Sequence, residues 1–197
     1  MQEVNADSTN SRELPESIVI PSIRGEMARL RQATIEDLAR MDSLHAFDGA
    51  AVITGKDSQS ERSMVHAWVE RSVQWSLAGS TEAKSNHDAA SSDAQSRPTI
   101  AWSIVPDLID DSENINGNII GMIFLIDIDG WSKSARIQVI LGRDYRGRGY
   151  SRDAMPRVMT YGFAPDTVGL ALHRIWVGVP AANTRSLSVY QSLGFVK

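Results

Sequence analysis

Apolar positions along this chain follow a helical period in its first third and a strand-like one in the middle. Between Ser60 and Leu77, Val65, Val69, Val73 and Leu77 recur every four residues with Trp68 beside them, which predicts a helix with one apolar stripe and a core role for the tryptophan. A shorter helix is predicted in "TIEDLARMDSL", where Thr34 stands as N-cap, Asp37 at the third helical position, and Leu38, Met41 and Leu44 repeat at helical spacing. Upstream, "IVIPSIRGEMARLRQAT" reads as an extended segment leading to a first strand. The pattern then changes: "TIAWSIV", "GNIIGMIFLIDI" and "SARIQVIL" are β-branched runs separated by turn signals at Asn116-Gly117 and Asp129-Gly130. They predict three consecutive antiparallel strands. A helix carrying Ala154, Val158, Met159 and Tyr161 follows, then a strand "HRIWVGV", then a helix opened by Asn183 and closed at Gly194.

Two segments lack any such pattern. Residues 1–17 are polar and read as a flexible tail, and "GSTEAKSNHDAASSDAQSRP" reads as a mobile loop over 79–98. The remainder, 18–197, is expected to form one domain, since 197 residues suffice for one good core but hardly for two. No apolar run approaches the ~20 residues of a membrane span, and the first residues lack a secretory apolar stretch, so a cytoplasmic protein is expected. The absence of cysteine excludes disulfides, thiolate catalysis and Cys-ligated zinc. His45, His66, His87 and His173 show no metal-ligand spacing, and no metal is expected.

Charge sharpens the picture at one place. Residues 131–157 hold seven bases against two acids, a net of +5 in a chain whose total is −4, so the rest carries −9. Five of those bases, Arg143, Arg146, Arg148, Arg152 and Arg157, surround two glycines in "RDYRGRGYSRDAMPRV", where a strand gives way to a helix. A solvated turn, a nucleic-acid patch and a phosphate cradle compete. A helix N-terminus offers unpaired N–H groups and a positive dipole end, and glycines let an anion approach the backbone. Nucleic acid is disfavoured, because RG elements for RNA usually repeat among stacking aromatics and this one occurs once. The motifs of a P-loop and of a Rossmann turn are both missing.

Taken in order and spacing, "YRGRGYSRDAM", "LHRIWVGV" and "NTRSLSVYQSLGF" resemble the GCN5-related N-acetyltransferase (GNAT) superfamily over roughly residues 26–197. Its phosphate-turn motif is matched by Arg146 and Gly149 and imperfectly by Ser151; its later motif by Asn183, Tyr190, Gly194 and Phe195. The branch most resembled contains ribosomal-protein N-terminal and spermidine acetyltransferases. The resemblance implies an α+β fold, a mixed, mostly antiparallel sheet flanked by helices on both faces, with the cofactor in a splay between two central strands. It also implies acetyl-CoA as co-substrate and a primary amine, a protein N-terminus or a small amine, as acceptor in direct attack. A catalytically weak CoA-binding or interaction module of the same fold is the alternative.

By the same resemblance, the backbone of Val139, Ile140 and Leu141 pairs with the pantetheine arm. Arg146 and the N–H groups of Gly147, Arg148, Gly149, Tyr150 and Ser151 hold the pyrophosphate. Asn183 caps the last helix and contacts the cofactor arm. Tyr190 is the general acid toward the departing thiolate, its rival role being that of a core residue beside Leu187 and Leu193. Many relatives carry a glutamate base where this chain has Arg136; a water chain, Asp127 or Glu70 remain as bases, and Arg136 speaks against a polycationic acceptor. Pro156 is expected to delay or bend its helix. The family continues through further strands beyond the Gly-Phe pair, so an open sheet edge is expected, and with it room for a homodimer.

Overall fold

The computed structural model describes residues 14–50, 54–78, 97–107 and 118–197. The tail up to residue 13, most of the 79–98 loop and the Asn116-Gly117 turn lie outside these residues. Six strands, β1 (Ile23–Arg24), β2 (Ala28–Gln32), β3 (Ile100–Pro106), β4 (Gly121–Asp129), β5 (Ser134–Leu141) and β6 (Arg174–Trp176), form one sheet in the order β1-β2-β3-β4-β5-β6. All neighbours are antiparallel except β5 and β6. The mixed, mostly antiparallel sheet is therefore as expected. Among the described residues no helix is long and apolar enough to cross a membrane.

Helices α1 (Glu36–Ser43) and α2 (Ser58–Leu77) cover one face; α3 (Tyr150–Phe163) and α4 (Thr184–Ser192) cover the other. The strand period of two sorts the core between them. On β4, Met122, Phe124 and Ile126 pack with Leu38, Met41, Val65, Trp68 and Val69, while Ile123, Leu125 and Ile128 pack with Met155, Val158 and Tyr190. With both faces covered, β4 can be almost continuously apolar, and Gly121–Ile126 is buried throughout. A register shift lies between Ile126 and Asp129, where Asp127 takes a φ of 55°. This bulge turns the Asp127 carboxylate to within 3.4 Å of Arg136 Nε.

Several expectations are corrected. Strand β4 begins at Gly121, four residues after the predicted start, and β6 keeps only Arg174–Trp176 of the predicted "HRIWVGV". Leu77, the last residue of α2, is 54% exposed instead of completing the apolar stripe. Thr34 does not cap α1; Ile35 occupies the cap position without a side-chain bond. The Thr34 N–H instead donates to Asp37, whose carboxylate also takes a bidentate Arg31 and the Ser103 hydroxyl. Nor does Pro156 delay α3, which starts directly after Gly149 and runs through the proline.

Candidate active site

The parallel pairing of β5 with β6 is short: Ser134 faces Arg174, Ala135 faces Ile175 and Arg136 faces Trp176, and no later pair forms. From Ile137 onward the strands part, and a cleft of about 680 Å³ opens there, within the ~300–1,000 Å³ usual for small-molecule sites. The open edge of β5 contributes Val139, Ile140 and Leu141, and α4 contributes Asn183, Val189 and Tyr190. Opposite them, α2 and the segment before it bring Thr54, Lys56, Glu61, Met64 and Trp68. The Gly55 backbone nearly meets the Pro180 ring across the mouth.

At its C-terminal end, β5 leads through a 3-10 turn (Arg143–Tyr145) to Gly147 and Gly149, with φ values of 80° and 97°. Left-handed backbone at these two positions exposes successive N–H groups in a concave turn suited to an anion. The first helical bonds of α3 come from Arg152 and Asp153 to the Gly149 carbonyl, so the preceding amides are not used within the helix. Arg146 is occupied elsewhere: its guanidinium donates to the carbonyls of Leu141, Ala46 and Asp48, fastening the turn to the α1–α2 connection. Burial, aided by the nearby Arg143 charge and opposed by that of Asp48, leaves its pKa below the usual arginine value. Asp153 fastens the other side, accepting from the amides of Glu26, Met27 and Ala28 in the β1–β2 turn. That places the Met27 sulfur 3.3 Å from where a Cβ on Gly149 would sit.

Tyr190 is 9% exposed and lines the cleft. Burial pushes its phenol up to about 12. Gly194, at a φ of 90°, lets the chain double back after α4, with the Phe195 N–H donating to the Tyr190 carbonyl and the two rings meeting edge to face at 5.5 Å. The Gly-Phe pair is thus a support for the tyrosine. Asn183 caps α4, its side-chain oxygen accepting from the Ser186 N–H.

Of the residues singled out in the sequence, Val139, Ile140, Leu141, Arg146, Gly147, Gly149, Ser151, Asn183 and Tyr190 line this one cleft. Arg148 and Tyr150 do not: the Arg148 guanidinium lies over the Tyr145 ring, which in turn meets the Tyr150 ring, so only their backbone could serve the site. Glu70 is exposed on α2 and outside the cleft, and Asp127 is engaged with Arg136.

Among the lining residues, Arg185 and Glu61 went unnamed in the sequence, and Arg152 was named only as one of the arginines around the two glycines. Arg185 presses its guanidinium against Gly147, Arg152 stands in the first turn of α3, and Glu61 is 3% exposed on α2. One Glu61 oxygen accepts from the Thr54 hydroxyl. Carrying the α2 stripe of Val65, Val69 and Val73 back four residues lands on Glu61. A carboxylate on an apolar stripe was the available signal. Among the described residues, no group of three His, Asp or Glu could hold a metal.

Comparison with known proteins now decides the family. Residues 28–196 match the family described as "Acetyltransferase (GNAT) domain". The chain belongs to this family. The GNAT chain is 33% identical to the spermidine N(1)-acetyltransferase of Vibrio cholerae over 85 residues, 43% of this chain and 47% of that one. It is 31% identical to the Escherichia coli K12 enzyme of the same name over 80 residues, 41% of each. The match thus spans about half the length of these curated relatives. Among solved structures, the V. cholerae spermidine N-acetyltransferase in complex with CoA and spermine superposes with a TM-score of 0.58 at 21% identity, covering 87% of this chain and 82% of that one. That likeness establishes the fold, GNAT-type α+β.

Proposed function

We propose that this GNAT domain transfers the acetyl group of acetyl-CoA to a primary amine, a protein N-terminus or a small molecule. The observation that carries this reading is the meeting, in one cleft, of an unpaired strand edge, a double-glycine turn at a helix start and a buried tyrosine hydroxyl. The backbone of Val139, Ile140 and Leu141 would take the pantetheine arm as an added strand. The amides of Gly147 to Ser151 would hold the pyrophosphate, with Arg152 and Arg185 raising the local potential. When bound, acetyl-CoA supplies an acetyl thioester whose acetyl group passes to the amine nitrogen and whose sulfur leaves as the thiol.

Tyr190 donates a proton or a strong hydrogen bond toward that sulfur. Held up at about 12, its phenol stays protonated throughout the physiological range, so the donor is always armed. An acceptor ammonium must lose a proton before its nitrogen can attack, and Glu61 is the only carboxylate lining the cleft, among the described residues, to receive it. The curated relatives bear the names of spermidine acetyltransferases, which supports an amine acceptor here.

Release of CoA thiol over a panel of amines and peptides tests the reading, and amine-dependent release is expected. Tight acetyl-CoA binding without release above background would favour a CoA-binding module instead, the reading that Arg136 at the usual place of the base suggests.

A further inference from the structure

The cleft is electrostatically lopsided. Lys56, Arg136, Arg146, Arg152 and Arg185 line it against Glu61 as the single carboxylate among the described residues. Arg146 is occupied with three carbonyls, and Arg152 and Arg185 stand at the phosphate turn. Arg136 and Lys56 are the remaining cations of the cleft.

Arg136 is held in an unusual setting. Its guanidinium carbon lies 5.6 Å from the Trp68 ring and 5.7 Å from the Trp176 ring. Asp127 approaches its Nε at 3.4 Å, yet that buried nitrogen makes no hydrogen bond, and the terminal nitrogens make none among the described residues. Two aromatic rings flank the guanidinium while its donors stay without a hydrogen bond among the described residues. A planar fork in that state matches a carboxylate in two parallel hydrogen bonds. A polyamine would instead bring added positive charge beside Arg136 and Lys56, with Glu61 in the cleft and Asp127 behind Arg136 to offset it.

Resting on the N-acetyltransferase reading, we infer that the acceptor is an amine that also carries a carboxylate several bonds away, an ω-amino acid or short peptide, whose carboxylate sits on Arg136 and whose ammonium faces Glu61. Trp68 and Glu61 lie seven residues apart on one face of α2, ~10 Å along the axis at 1.5 Å per residue. The two charges of the acceptor are therefore expected to be separated instead of sharing one carbon.

The test compares acceptors that differ in one group: 6-aminohexanoate against 1,6-diaminohexane, glycyl-phenylalanine against its C-terminal amide, and spermidine beside them. Thiol release gives kcat/KM, and calorimetry in the presence of CoA gives the affinity of each compound. The carboxylate member of each pair is expected to lead by roughly tenfold or more. Arg136→Gln should erase the lead, Arg136→Lys should keep part of it, and Arg136→Glu should move the preference to the diamine and spermidine with acetyl-CoA affinity unchanged. Preference of the unaltered chain for spermidine, or a carboxylate lead that survives Arg136→Gln, overturns the inference. Should no amine be turned over, the acetyltransferase reading fails, and the binding arm still decides: a carboxylate lead lost in Arg136→Gln upholds the Arg136 site, and no lead refutes it.

Discussion

The two halves of the cleft are built from different material. The half proposed for the cofactor is main chain from one contiguous stretch, the β5 edge and the turn through Gly147 and Gly149 to the start of α3. The half proposed for the acceptor is side chain, assembled from Thr54, Lys56, Glu61, Met64 and Trp68 on one side and Arg136 on the other. Main-chain sites depend on backbone conformation, so glycine substitutions damage them and most side-chain changes do not. Side-chain sites depend on charge and fit, so an isosteric change that removes one charge suffices. The halves should therefore fail separately, one through cofactor affinity and the other through the Michaelis constant for the amine.

Tyr190, at the seam, gives the largest expected effect. Tyr190→Phe should lower turnover on the order of 100-fold while leaving acetyl-CoA affinity nearly unchanged, as steady-state kinetics and equilibrium titration would show; unchanged turnover would remove the acid role. Because burial raises this phenol, its proton-bearing form persists upward in pH, and no rate loss from its ionisation is expected until pH nears about 12. Next comes Gly149→Val, which forces a β-branched residue to a φ of 97° against the Met27 sulfur. Strain of about 1–3 kcal/mol should weaken CoA roughly tenfold to a hundredfold, read by displacement of a fluorescent CoA analogue. The KM for the amine should hardly move.

Glu61→Gln tests the opposite half. The KM for amines should rise by roughly tenfold and turnover should fall with the loss of the proton acceptor, with CoA affinity intact; a loss confined to CoA binding would dissolve the distinction between the halves. The smallest effect concerns the support beneath the phosphate turn. Burial raises the Asp153 carboxyl, but the amides of Glu26, Met27 and Ala28 and the Arg157 guanidinium more than offset this and leave it below the usual aspartate range. Its contribution to stability is therefore complete above ~3.9 and lost as pH falls through the lower folded value. Asp153→Asn should cost about 1–2 kcal/mol in urea unfolding at neutral pH, and that difference should shrink on acidification through the same range.

The same division explains what the sequence disclosed. "SARIQVIL" could be placed as β5 to the residue, and the turn's glycines and the Asn183 cap could be named, because each depends on neighbours in the chain. The length of β6 could not, since it is set by where two strands diverge in space. Thr34 read as the cap with Asp37 at the third helical position, because the link of Asp37 to Arg31 and Ser103 is tertiary. Glu61 was passed over because an acid in the first turn of a helix already has an ordinary explanation in the helix dipole. Only the fold shows that this carboxylate is buried in a cleft that Arg136, 75 residues later in the chain, also lines.

Calorimetric titration of the intact chain with acetyl-CoA tests the central claim most directly, namely that the amides around Gly147 and Gly149 grip its diphosphate. The account predicts saturable binding at one site, weakened in Gly149→Val and retained in Glu61→Gln. No heat from well-folded protein at millimolar acetyl-CoA, or equal affinity in Gly149→Val, would contradict it.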